Sequence, residues 1–135
     1  MHKKQRGETW FTDKRKKVIF IMLFYSWILF IYTLSSIPGS STPSFPGGTD
    51  KIVHFLEYAI LGFLAIQALT LKSKIVLLPG IVTPLLDEFY QSFTPGRYSD
   101  IKDVIADVAG YMVVIIIVSI WQKKSIERKD RKQKK

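Results

Sequence analysis

Asp50, His54, Glu57 and Tyr58 stand at positions i, i+4, i+7 and i+8, a spacing that puts all four on one face of a helix. Asp100, Asp103, Asp107 and Gly110 make a second stripe at i, i+3, i+7 and i+10. Between the two in sequence, Asp87 and Gln91 form an i, i+4 pair with Glu88 alongside. Carboxylates grouped with one imidazole can pass protons, hold a cation through oxygen, or orient a polar ligand. Lys51 and Arg97 supply opposite charge close by, and the planar fork of an arginine suits a phosphate or carboxylate.

These residues gain weight from the elements that carry them. Apolar stretches near Val18–Ile37, Ile52–Leu71, Ile75–Tyr90 and Val104–Trp121 approach the roughly 17 to 25 residues that a helix needs to cross hydrocarbon. An acid at the centre of such a helix costs about 2.5–3.5 kcal/mol, so Glu57, Asp87, Glu88 and Asp107 are read as functional before structural. The sequence therefore predicts an all-α, integral membrane four-helix bundle. At about 1.5 Å per residue, Asp50 and Asp100 lie at one surface, His54, Gln91 and Asp103 one turn below, and Glu57, Asp87 and Asp107 two turns below.

The formal net charge of +9 is unevenly spread. Of the 20 Lys and Arg residues, 7 fall in 1–17, 8 in 123–135 and two at Lys72 and Lys74. By the positive-inside rule both termini are cytoplasmic and the polar stripes open outward, on a multi-pass protein of the cell membrane. The basic tails read as topology anchors that attract anionic lipid; neither interleaves aromatics in the manner of a nucleic-acid surface, so no nucleic-acid partner is expected. Residues 18–122 are taken as the membrane domain, with 1–17 and 123–135 as tails. Cysteine is absent, which excludes thiolate metal sites and cysteine nucleophiles.

Between the membrane segments, residues 35–49 hold three prolines and three glycines and read as a loop. Asp50 or Thr49 is placed to cap the second helix, and Ser99 or Asp100 the fourth. Pro79, Gly80 and Pro84 predict a kink in the third segment. Away from the tails and the Lys72/Lys74 turn, seven acids face only Lys51, Arg97 and Lys102, so the pocket is expected to be acidic and to need protons, a basic partner or a cation. His54, Glu57, Asp87, Glu88 and Asp103 are the candidates for acid/base work. Asp87, Glu88, Asp103 and Asp107 are the candidates for a divalent cation. Ligand contacts are assigned to Asp50, Lys51, His54, Tyr58, Asp87, Glu88, Gln91, Arg97, Asp103 and Asp107.

With Asp50-Lys51, His54-Phe55, Tyr58, Leu61-Gly62-Phe63-Leu64, Asp87-Glu88, Gln91, Pro95-Gly96-Arg97, Asp103 and Gly110 in this order and spacing, the chain resembles the VanZ-like membrane protein family over residues 35–120. The resemblance implies a multi-helix membrane fold and, for the family's name-giving member, lowered susceptibility to the glycopeptide teicoplanin. The family pattern has Asn where Asp107 stands, and Glu57 lies outside the motif, so the pocket is expected to be more acidic than the family's. Three function classes remain open. One is a protein engaging an envelope lipid or its headgroup, another is a metal-assisted or acid/base enzyme acting on envelope lipid intermediates, and the last is a small proton- or cation-coupled carrier.

Because no native thiol interferes, a single cysteine tests the orientation. Ser44→Cys should react with a membrane-impermeant thiol reagent in intact cells, whereas Ser73→Cys and Ser125→Cys should not. Labelling of Ser125→Cys from outside would invert the topology.

Overall fold

A computed structural model describes residues 14–41, 49–69 and 74–133. Among them the chain forms four α-helices, α1 (Lys14–Ser35), α2 (Thr49–Leu69), α3 (Pro79–Gln91) and α4 (Ile101–Gln133), with 3-10 turns at Gly39–Ser41 and Lys74–Leu77. No strand occurs among the described residues. Over Lys14–Ser35, Thr49–Leu69 and Ile101–Arg128, α1, α2 and α4 are long and apolar enough to cross a membrane. Val18, Met22, Tyr25 and Leu29 of α1 stay exposed, as expected where the solvent is lipid.

The third segment departs from a continuous span over Ile75–Tyr90. Its first turn is 3-10, and α3 begins only at Pro79, leaving a helix of 13 residues or about 20 Å. Proline suits the first helical position because the amide it lacks would be unpaired there anyway, so Pro79 starts a helix where a kink was expected. The buried Tyr111 hydroxyl donates to the Val76 carbonyl, and Gly80 lies against the Tyr111 ring where a Cβ would collide. This aromatic pin holds the 3-10 turn against α4.

Other boundaries shift as well. Ser35, assigned to the loop, ends α1, and Asp50 sits in the first turn of α2 rather than before it. The cap on α4 matches expectation: Asp100 Oδ1 accepts the Lys102 amide at 2.9 Å. From Ile101, α4 continues unbroken through the basic stretch expected as a tail. The loop residues 42–48, the N-terminal residues 1–13 and Lys72 lie outside the described residues.

α2 and α4 form the central pair. They run parallel, since Lys51 meets Asp103 and His54 meets Asp107 in the same order along both helices. Glycine permits the close approach. A Cβ at Gly110 would strike the Phe55 carbonyl, and one at Gly62 would come within 2.8 Å of the Tyr111 carbonyl oxygen. α1 packs on α2 and α3 on α4, around a core of Phe24, Ile31, Tyr58, Leu61, Ala65, Tyr111 and Ile115. The carboxyl ends of α1 and α3 and the amino ends of α2 and α4 thus gather at one end, and the basic start of α1 and basic last turns of α4 lie at the other.

Gly110→Ala should push α4 off α2, since the atom it meets is backbone and cannot rotate away. A loss of about 1–3 kcal/mol is expected, read as a lower melting temperature in detergent. An unchanged melting temperature would show that the helices are not held at this distance.

Candidate functional site

At the rim of the gathered end, the Lys51 ammonium bridges α2 to α4. Its Nζ lies 2.6 Å from Asp103 Oδ1, 3.1 Å from Asp50 Oδ2 and 3.2 Å from Asp100 Oδ2. One cation thereby serves three of the seven acids. The Lys102 amide, and after it Lys51, hold the Asp100 carboxyl below the usual aspartate range. That stabilisation is in place above the ordinary aspartate pKa and disappears as the pH falls through the lowered one.

One turn deeper, His54 Nδ1 is 3.0 Å from Asp107 Oδ1, while its Nε2 faces Asp103 Oδ2 at 4.0 Å. Asp87 enters from α3, accepting the Ser35 hydroxyl on Oδ1 and the Gln91 amide on Oδ2 at 3.2 Å. Gln91 donates as well to Ser35 Oγ, so three side chains from α1 and α3 close into one network. Ligand atoms of His54, Asp87 and Asp107 lie within 4.8 Å of one another. Asp87 and Asp107 are 2 % and 1 % exposed, which makes this the deepest concentration of carboxyl groups among the described residues.

Below them the Tyr58 hydroxyl is fully buried and has no hydrogen-bond partner among the described residues. A buried polar group left unsatisfied costs about 1–3 kcal/mol.

Arg97 does something the sequence did not reveal. Instead of pairing with Asp87, Glu88 or Asp103, its Nε donates to the Ile37 carbonyl at 3.3 Å and its Nη2 to the Leu34 carbonyl at 3.1 Å. Thr94 Oγ1 adds a bond to the Ser35 carbonyl at 3.0 Å, so the α3–α4 turn caps the carboxyl end of α1. The turn reaches this position because Gly96 adopts a left-handed φ of 73° and packs on Gly39, whose amide donates to the Pro95 carbonyl at 3.0 Å. With no carboxylate at salt-bridge distance among the described residues, Arg97 borders a cavity of about 370 Å³. Its polar lining is Ser35, Ser41, Asp50, His54, Glu57, Gln91 and Arg97, and its apolar lining Leu34, Ile37 and Val53. The Glu57 carboxylate makes no hydrogen bond to a described residue, though its backbone carbonyl accepts the Trp27 indole at 3.0 Å.

Apart from Glu57 and Arg97, which border the cavity, the predicted site residues separate into an interior group, a rim group and Glu88. His54, Tyr58, Asp87, Gln91 and Asp107 come together in the interior. Lys51, Asp50 and Asp103 form the clip at the rim. Glu88, expected as acid/base group and cation ligand, accepts the Asp100 backbone amide, and Asp103 turns towards Lys51, while ligand atoms of His54, Asp87 and Asp107 are the ones that lie within 4.8 Å of one another.

A profile of the VanZ/LLP1 family matches residues 2–122. The chain belongs to the VanZ/LLP1 family. A protein of Schizosaccharomyces pombe described as uncharacterized is 28 % identical to this VanZ/LLP1 chain, over 84 % of it and 70 % of the yeast protein. No solved structure matches. Family motif residues fall into place on this geometry. Gly110 is the contact glycine of α4, Gly96 makes the turn possible, and Arg97 caps α1 over the cavity.

Ser35, Trp27 and Thr94 escaped the sequence reading. Ser35 sits in a Ser/Pro/Gly-rich run that looks like loop, and nothing local marks it as the partner of a carboxylate 52 positions away.

Lys51→Met leaves three carboxylates facing each other, one of them buried. With the others a third or more exposed, the cost should be about 1–3 kcal/mol at neutral pH, seen as a lower melting temperature. The gap to wild type should narrow as the pH falls below the ordinary aspartate range and through the lowered pKa of Asp100, where that carboxyl protonates and its bond to Lys51 is lost. An equal gap at neutral and at acid pH would mean that the lysine acts through packing.

Proposed function

We propose that this VanZ/LLP1 protein binds the anionic headgroup of an envelope lipid, or of a lipid-linked envelope intermediate, in the cavity beneath Arg97. The observation that carries this reading is the Arg97 guanidinium. Helix capping takes up two of its five N–H groups, no carboxylate among the described residues lies at salt-bridge distance from it, and it borders a cavity lined by polar and apolar side chains. The volume of about 370 Å³ suits a headgroup rather than a whole lipid, whose chains stay in the bilayer along exposed Val53 and its neighbours. The distribution of basic residues supports an outward-facing cavity. Occupation of a lipid-linked wall precursor by such a protein would account for altered teicoplanin susceptibility.

A second reading rests on His54. It borders the cavity, and Asp107 on Nδ1 and Asp103 near Nε2 orient its ring as a general base is oriented, so an acid/base reaction on the bound headgroup is the alternative.

The test is binding of phosphate-headgroup lipid to the purified chain in nanodiscs. Arg97→Lys keeps the charge but loses the fork, and affinity should fall by about tenfold to a hundredfold, the worth of a charge-assisted bidentate pair. Thr94→Val removes a cap from the same helix end without touching charge and should bind as wild type does. Equal losses in both variants would reduce Arg97 to a helix cap, and full binding by Arg97→Lys would sink the headgroup reading. Turnover of the lipid, lost in His54→Gln, would establish the enzyme instead.

A further inference from the structure

We infer that His54, Asp87 and Asp107 form a binding site for one divalent transition-metal ion, of the zinc or manganese kind. The site stands on its own atoms and does not depend on the headgroup reading.

Donor spacing is the first support. The three ligand atoms lie within 4.8 Å of one another, and His54 Nδ1 to Asp107 Oδ1 is 3.0 Å. Two donors each about 2.1 Å from a metal are about 3 Å apart across a right angle and about 3.4 Å apart across a tetrahedral one, so this hydrogen bond is within a few tenths of an ångström of a coordination edge. The ion takes the place of the shared proton, and a modest inward movement of Asp87 closes the third side.

Tyr58 is an independent sign that something belongs here. Its hydroxyl is fully buried, without a hydrogen-bond partner among the described residues, and one helical turn from His54 on the same face of α2. A metal ion in the cluster, or a water bound to it, satisfies that hydroxyl.

The surroundings have the form of a supporting shell. Ser35 and Gln91 hold both oxygens of Asp87. If Nδ1 binds the ion, Nε2 carries the proton and faces Asp103, itself fixed by Lys51 at 2.6 Å. A carboxylate behind a ligating histidine sets the tautomer and raises the basicity of the ring. Charge agrees too. A neutral imidazole, two carboxylates and a dication sum to zero, the arrangement that a site with 2 % and 1 % exposed acids tolerates best.

Donor chemistry selects the class. One imidazole nitrogen with two carboxylate oxygens suits zinc or manganese, whereas calcium and magnesium prefer shells built from oxygen alone. Three protein ligands leave a position for water or for a molecule in the cavity, which His54 also borders.

The full chain in detergent is stripped with chelator, equilibrated with Zn²⁺ alone and passed through gel filtration, and its metal content is measured. About one ion per chain is expected, and it should resist displacement by a large excess of Mg²⁺ or Ca²⁺. Co²⁺ in its place should give visible absorption bands. Asp87→Asn and Asp107→Asn should lose the ion, while Asp100→Asn, altered in the rim clip, keeps it. Should the interior variants fail to fold, Tyr58→Phe decides: it retains the ring, and its Zn²⁺ affinity should fall by about tenfold or more. The inference is overturned by wild type that retains no Zn²⁺, by Zn²⁺ held equally in folded Asp107→Asn, by unchanged affinity in Tyr58→Phe, or by displacement with Mg²⁺. Since no lipid is present, a negative result leaves headgroup binding standing, and a lipid-binding failure leaves this site standing.

Discussion

Contact between the backbones of α2 and α4 governs the rest of the molecule. Gly110 against Phe55 and Gly62 against Tyr111 bring two parallel helices closer than any side chain would allow. Within lipid there is little hydrophobic drive to join helices, so close packing and polar bonds must do it. Parallel helices at this distance keep like depths opposite each other, which is why Lys51 meets Asp103 and His54 meets Asp107 without either helix bending.

Around that pair, the outer helices are tied by backbone groups that need partners. The last carbonyls of α1 have no intrahelical donor, and a membrane offers little water to replace one. Thr94 and Arg97 supply the donors from the opposite loop. Ser35, at the same helix end, reaches Asp87 of α3. One local requirement thus fixes the position of α1, the course of the α3–α4 turn and the direction of the guanidinium together.

Much of this was legible in the residues. Stripes at helical spacing placed His54 with Tyr58 and Asp103 with Asp107 on shared helix faces, whereas the depth estimate set His54 level with Asp103 and the structure pairs His54 with Asp107 and Asp103 with the rim lysine. The Asp100 cap followed from a short polar side chain before an apolar run. Apportioning the acids was beyond the sequence, because seven carboxylates and three bases allow many pairings and only three-dimensional reach decides among them. Lys51 took three acids; Arg97 took none and bound carbonyls, a role that leaves no trace in charge pattern. The break before Pro79 was likewise misplaced, since proline reads equally as a kink or as a helix start until the partner of the preceding carbonyl, here Tyr111, is known. Gly62 and Gly110 carried the family pattern without showing that each faces a particular backbone atom.

The unbroken length of α4 has a mechanical consequence. Its 33 residues make a rod of about 50 Å, while hydrocarbon is about 30 Å thick. The rod is pressed against α2 near one end, at Gly110. From that fulcrum Asp107 is about 4.5 Å along the axis and Lys132 about 33 Å in the other direction. A rigid pivot of α4 there sweeps the basic end roughly seven times as far as the carboxylate facing His54. The charged overhang is the long arm of a lever, and the polar interior sits on the short one.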